Sequence, residues 1–145
     1  MKSDLLPEHR VCLLKSPADW KEIIRQGCRL MEEDGVIAAG FYPEIIRQTE
    51  KLGPYMVLAD GFALPHLVSA VLVHEAGFAL MISPQPVDFL GEAVKAFLIM
   101  ATPNSSAHVK FLAKIAETLS EPENLAGLLR GDRQMIEMLY QTEGR

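Results

Sequence analysis

The sequence predicts an α/β protein: a three-layer α/β/α sandwich in which helices flank a mixed β-sheet. The chain has 145 residues, 49% of them hydrophobic, which suits a single domain spanning residues 1–145. Helical hydrophobic periodicity occupies the first and last thirds, whereas the middle carries apolar runs of strand length. Because these runs are nearly continuous, we expect helices on both faces of the sheet. Some strand connections are too short for crossover helices, so the sheet must also contain hairpins.

The first third predicts a short strand followed by a long amphipathic helix. The strand is the apolar segment 11–14, and the helix is expected to have Ser16 as its cap and Pro17 at its first position. Gly35 marks its end. Its buried face is formed by apolar residues at i, i+3, i+4, i+8 and i+11: Trp20, Ile23, Ile24, Cys28 and Met31.

A second helix and most of the sheet follow. The helix is expected to open at Pro43 and to stop at Gly53-Pro54, because the residue before a proline is disfavoured in helical conformation. The runs predicted as strands are YMVLA, FAL, VSAVLV, GFALMIS and VKAFLIMA.

The final third predicts three helices. Ser105 or Ser106 is expected to cap the first of them, whose apolar stripe covers residues 108–119 at helical spacing. Shorter helices are expected to start at Pro122 and Asp132.

Charge and cysteine usage exclude several classes of function. The chain has 14 Lys and Arg against 19 Asp and Glu, a formal charge of −5, and no basic cluster, so we expect neither nucleic-acid nor anionic-membrane binding. Cys12 and Cys28 have no CxxC spacing, which argues against a disulfide framework and a cysteine-based zinc site. No run approaches the roughly 18 apolar residues of a membrane span, and no secretory leader is visible. These features predict a cytoplasmic protein.

His66 is a candidate nucleophile because of its place at the end of an apolar strand, directly after Pro65. Proline restricts the approach of the chain, so the imidazole is held where the sheet meets solvent. Imidazole is a competent nucleophile near neutral pH. Taken alone, the position is more typical of a turn histidine that bonds to backbone.

His108 strengthens the case because it stands in the first turn of a predicted helix, just after Ser105 and Ser106. The backbone N–H groups there have no intrahelical partner and the helix dipole is positive, so the position favours an anion such as phosphate. We therefore predict His66 and His108 as catalytic residues, with Ser105 and Ser106 binding the phosphoryl group. A histidine that merely packs in a capping region is the alternative.

Several of these motifs resemble one known family. The segments GPYMVLADGFALPH, GFAL and PVDF, followed by His108 and its apolar helix, look like the enzyme IIA domain of the mannitol/fructose class of the sugar phosphotransferase system. Within that class they are most similar to the ascorbate and cryptic-mannitol branch, over essentially the whole chain.

The resemblance implies a fold, an activity and two partners. The fold is the α/β/α sandwich predicted above. His66 would accept a phosphoryl group from the phosphocarrier HPr and pass it to a cysteine of enzyme IIB, which drives sugar uptake. His108 would orient His66 and stabilise the phosphoryl group, and no metal or organic cofactor is implied.

Two departures from the family remove cations from the site. Thr49 stands where mannitol and fructose members have an arginine before Glu-Lys-Leu, and residues 67–70 replace an arginine and acidic residues of ascorbate-like members. Arg47 points to a different helix face and is a poor substitute. We expect the helix N-terminus and the second histidine to suffice; weak phosphoryl transfer or a sensor role are the alternatives.

Other functions remain open at this point. A non-catalytic regulatory module could keep the fold and dock partner proteins, and a purely structural oligomerisation domain is a further alternative. The composition suits either a monomer or a homodimer. The predicted docking face is a neutral apolar surface around the first histidine, formed by Phe62, Leu64, Leu67 and Val68.

Overall fold

The computed structural model describes residues 5–141. Within that range the chain forms six strands: β1 (Val11–Leu13), β2 (Val57–Ala59), β3 (Gly61–Ala63), β4 (His66–Val68), β5 (Gly77–Phe89) and β6 (Glu92–Thr102). The α-helices are α1 (Trp20–Glu33), α2 (Phe41–Leu52), α3 (Val109–Leu119), α4 (Pro122–Arg130) and α5 (Arg133–Tyr140). No helix in this part of the chain is long and apolar enough to cross a membrane.

The strands form one mixed sheet, as the sequence predicts. Their order is β1-β5-β6-β3-β2, and β4 pairs with β6 beyond the end of β3. β5 and β6 are an antiparallel hairpin, and β2 is antiparallel to β3. β1 runs parallel to β5, whereas β3 and β4 run parallel to β6. The hairpin turns at Leu90-Gly91, where φ is 53° and 96°, the left-handed geometry that tight two-residue turns require.

Helices cover both faces of the sheet, which confirms the three-layer prediction. One buried cluster joins the sheet to α1 and α2, and the other joins it to the terminal helices α3, α4 and α5. Successive residues of β6 alternate between the two. Phe97, Ile99 and Ala101 face the first cluster, while Ala96, Leu98 and Met100 face the second.

The helix boundaries differ from the sequence prediction at two places in the first third. Asp19, not Ser16, is the cap of α1, because its carboxylate accepts the backbone N–H of Glu22 at 2.9 Å. Pro17 therefore precedes the helix. α2 begins at Phe41, ahead of the predicted start at Pro43. The predicted inner face of α1 is confirmed, since all five of its residues are buried.

The VSAVLV segment was wrongly predicted as a strand. Only its first residue, Val68, belongs to β4, and the chain then turns. The hydroxyl of Ser69 accepts the backbone N–H of Leu72 at 3.0 Å, a local hydrogen bond that competes with extended structure. Val73 makes only an isolated bridge to Ile37.

The final third matches the prediction except at the start of α3. His108 occupies the cap position and Val109 is the first helical residue, so neither Ser105 nor Ser106 is the cap. The two shorter helices begin as expected, at Pro122 and directly after Asp132.

Candidate active site

His66 opens strand β4, rather than ending the preceding strand as the sequence suggested. Strand β3 stops at Ala63, and the two buried residues Leu64 and Pro65 lead into β4. The backbone is held on both sides of the turn, because Leu64 N donates to Met56 O at 2.7 Å and Met100 N donates to Pro65 O at 2.9 Å. The imidazole therefore projects from a fixed backbone.

The tautomer of His66 is set by a backbone contact. Its Nδ1 lies 2.9 Å from the carbonyl oxygen of Leu64. A carbonyl oxygen can only accept, so Nδ1 must carry the proton, and in the neutral ring Nε2 keeps the lone pair. The side chain is half-buried. His66 thus combines restricted solvent access with a nucleophilic Nε2.

The pleat of the sheet directs His66 toward α3. Its partner in the register with β6 is Met100, which belongs to the buried cluster on the α3 side. Side chains of paired residues share a face, whereas the next residue, Leu67, packs against the cluster of α1 and α2. His66 therefore faces the layer that contains His108.

His108 is buried and electrostatically coupled to His66. Only 8% of it is exposed, and its Nδ1 has no hydrogen-bond partner within residues 5–141. Burial lowers the pKa of His108, and the nearby His66 lowers it further. At neutral pH the ring is therefore uncharged. The structure brings the two predicted catalytic histidines together, which counts against a purely structural role for this face.

The serines predicted to bind phosphoryl are arranged differently from the expectation. The backbone N–H and the hydroxyl of Ser106 both donate to Asn104 Oδ1, each at 3.0 Å. Ser105 is exposed in the same turn. Sequence reasoning missed Asn104, although asparagine is a typical capping and turn residue.

The other histidines and the cysteines lie elsewhere. His74 is exposed, with its backbone N–H bonded to Val36 O, and His9 pairs with Asp34. Cys28 is buried, which raises the pKa of its thiol to about 12. Among residues 5–141, no three His, Cys, Asp or Glu side chains are grouped closely enough to share a metal ion.

The sequence model described as "Phosphoenolpyruvate-dependent sugar phosphotransferase system, EIIA 2" matches residues 4–141. The chain belongs to this family. It is 27% identical to the ascorbate-specific phosphotransferase EIIA component of Shigella boydii, over 96% of this chain and 95% of that protein.

Solved structures of the family have the same fold. The mannitol-specific cryptic enzyme IIA of Escherichia coli superposes with a TM-score of 0.82 at 26% identity, covering 95% of this chain and 96% of that one. The complex of the mannitol enzyme IIA with phosphorylated enzyme IIB, also from Escherichia coli, superposes with a TM-score of 0.77 at 17% identity. This match covers 94% of this chain and 98% of that one. The matches to the ascorbate-specific component and to the cryptic mannitol enzyme IIA confirm the predicted similarity to that branch of the family.

The two chain segments that carry His66 and His108 are uncharged. Segments 61–73 and 96–109, which contain His66 and His108, include no Asp, Glu, Lys or Arg. Any stabilisation of a phosphoryl group by these segments must therefore come from neutral donors, a helix terminus or a protonated histidine.

The departure at Thr49, on helix α2, is visible in the packing. Thr49 is fully buried on the inner face, with Phe41 and Ile45, and its Oγ1 has no hydrogen-bond partner within the described residues. Arg47 is exposed and pairs with Glu44 on the same helix. Arg47 therefore lies on the exposed side of α2, away from the buried position of Thr49.

The predicted docking face needs correction. Phe62 and Leu64 are buried in the core and Leu67 is half-buried, because helices cover both faces of the sheet. Only Val68 of the predicted set is exposed. We group four exposed apolar side chains, from the segments that precede and follow the two histidines, as the apolar rim: Tyr55, Val68, Val71 and Val109.

Proposed function

We propose that this enzyme IIA is a phosphoryl carrier that accepts a phosphoryl group on His66 from phospho-HPr and passes it to a cysteine of an enzyme IIB during sugar uptake. The observation that carries the proposal is the 2.9 Å contact of His66 Nδ1 with Leu64 O, which leaves Nε2 as the nucleophile. Family membership supports the system and the reaction class.

The transfer can proceed without moving a proton at His66. The Nε2 lone pair attacks phosphorus, the N–P bond in phospho-HPr breaks, and its electron pair returns to the HPr imidazole. The His66 ring becomes cationic and keeps its Nδ1 proton on Leu64 O. When an enzyme IIB thiolate attacks, the Nε2–P bond breaks and its electron pair restores the starting tautomer.

His108 and the start of α3 supply the charge stabilisation in this proposal. His108 caps an 11-residue helix whose first-turn N–H groups and dipole favour a phosphoryl group near it. The buried ring has an Nδ1 without a partner, so a hydrogen bond made during transfer replaces no existing one. Prearranged groups of this kind provide most of the catalysis in phosphoryl transfer.

The apolar rim is the proposed docking surface for HPr and enzyme IIB. Tyr55 and Val71 are 87% and 84% exposed, and Val109 follows His108 directly. Exposed apolar side chains around a reactive group are typical of protein interfaces. The mannitol enzyme IIA that shares this fold is known in complex with phosphorylated enzyme IIB, which supports the same class of partner here. A cytoplasmic location is part of the proposal, since phospho-HPr is its phosphoryl donor.

The proposal is tested by incubating the protein with phosphoenolpyruvate, enzyme I and HPr. Mass spectrometry should show one acid-labile phosphoryl group on the wild type and on His74→Ala, an exposed control. His66→Ala should show none; persistent labelling of His66→Ala would contradict the proposal.

The absence of charged residues from the two histidine-bearing segments favours one second candidate. A regulatory module of the same fold would dock HPr without accepting phosphate, because cations that usually balance a phosphoryl group are missing from segments 61–73 and 96–109. Binding of HPr to a wild type that never gains mass in the same assay would select this candidate.

A further inference from the structure

We infer that Asn104 is a positioning residue for His108. The inference rests on the proposed function, since it concerns the geometry of the proposed site. His108 Nδ1 has no partner within the described residues, and its ring lies at the cap of α3. The placement of the ring therefore depends on the backbone that leads into it.

The side chain of Asn104 shapes that backbone. Its Oδ1 accepts hydrogen bonds from Ser106 N at 3.0 Å, Ser106 Oγ at 3.0 Å and Ala107 N at 2.9 Å. These donors belong to the two residues immediately before His108. One carbonyl oxygen thus closes the turn that delivers His108 to the helix start.

Asn104 is in turn attached to the strand that carries His66. The hydroxyl of Thr102, a fully buried residue at the end of β6, donates to Asn104 O at 2.6 Å. The carbonyl oxygen of Thr102 accepts the backbone N–H of Ser69 at 3.0 Å, directly after β4. A continuous series of hydrogen bonds therefore links the two histidine-bearing segments through Asn104.

The role can be separated from global stability because Asn104 is exposed and lies outside both buried clusters. Replacing it removes no core packing. Asn104→Ala should loosen the turn and lower the unfolding midpoint by only about 4 °C.

Two measurements test the inference: the pKa of His108 and the rate of phosphoryl transfer. Neither would change if Asn104 contributed only to global stability. Burial is the main cause of the lowered His108 pKa, so a looser turn should bring that pKa back toward the ordinary histidine value, measured by NMR titration. The rate of phosphoryl transfer from phospho-HPr should fall about tenfold in Asn104→Ala, since misplaced groups lose rate steeply.

Asn104→Ser should give intermediate values of both, because a serine hydroxyl closes such turns more weakly than asparagine. Ser120→Ala is the matched control: it removes an exposed hydroxyl that bonds to Glu117 O at 2.7 Å, at the other end of α3, and should change neither readout.

The result that overturns the inference is a His108 pKa and a transfer rate in Asn104→Ala equal to those of the wild type. If Asn104→Ala does not fold, equality of Asn104→Ser with the wild type has the same meaning. The titration needs no phosphoryl donor, so it tests Asn104 even if the wild type accepts no phosphate, an outcome that would refute the proposed function alone.

Discussion

The Nδ1 proton of His66 bonds to the carbonyl oxygen of Leu64, two residues earlier, with a nitrogen to oxygen distance of 2.9 Å. The contact spans Pro65, whose ring restricts the backbone between the two groups. A three-residue segment therefore determines both the tautomer of the histidine and the nitrogen that reacts. The second histidine, His108, lies at the start of α3 in the helical layer that His66 faces.

Removal of His108 should slow phosphoryl transfer without preventing it. His108→Ala deletes the buried imidazole beside His66, and loss of one prearranged group of this type typically lowers the rate about 100-fold. His108→Gln keeps a neutral donor and should lose less. Rapid-quench measurement with phospho-HPr checks this order; a rate for His108→Ala equal to that of the wild type would show that the ring only packs.

Stability should decrease as the pH is lowered through the titration of His108. Because burial lowers the pKa of His108 in the folded protein, the unfolded chain binds more protons than the folded one once the pH drops below the ordinary histidine value of 6.5, and acid favours unfolding. The contribution is fully present above 6.5 and is lost as pH falls through the lower, folded pKa. Urea unfolding between about pH 5 and 8 should show a weaker pH dependence for His108→Leu than for the wild type. If the free energy of unfolding depended equally on pH in both proteins, the pKa of His108 would not be lowered by folding.

The apolar rim should control partner binding. Val68 and Met138 are 49% and 50% exposed, but Val68 is in the strand of His66 whereas Met138 is in the C-terminal helix α5. Val68→Asp places a charge in the proposed interface and should weaken binding of unphosphorylated HPr about tenfold, or about 1.4 kcal/mol. NMR titration with HPr measures the binding of both variants, and Met138→Asp should bind like the wild type. If both variants weakened binding equally, the apolar rim would not be the docking surface for HPr.

The layered fold could be predicted because its signals are local and repeated. The stripe of α1 from Trp20 to Met31 predicts one buried face, and the unbroken apolar run 96–101 of β6 predicts burial on both faces of the sheet. The placement of His66 and His108 in facing layers could be predicted from their positions beside sheet and helix ends. Their catalytic roles, added by the family resemblance, stay predictions.

Features decided by single side-chain contacts could not be predicted. Ser69 turns an apolar segment that otherwise looks like a strand, and Asn104 Oδ1 closes the turn before α3, where the sequence predicts a serine cap. The docking face was misassigned because exposure depends on the tertiary packing. Phe62 is apolar and close in sequence to the site, but the helices of the α3 layer cover it.

NMR of the ¹⁵N-histidine-labelled protein, after phosphorylation through enzyme I and HPr, identifies the atom that carries the phosphoryl group. We expect coupling of phosphorus to Nε2 of His66, with the Nδ1 proton retained on Leu64 O. Phosphorus attached to Nδ1 of His66, or to any other residue, would contradict the proposal.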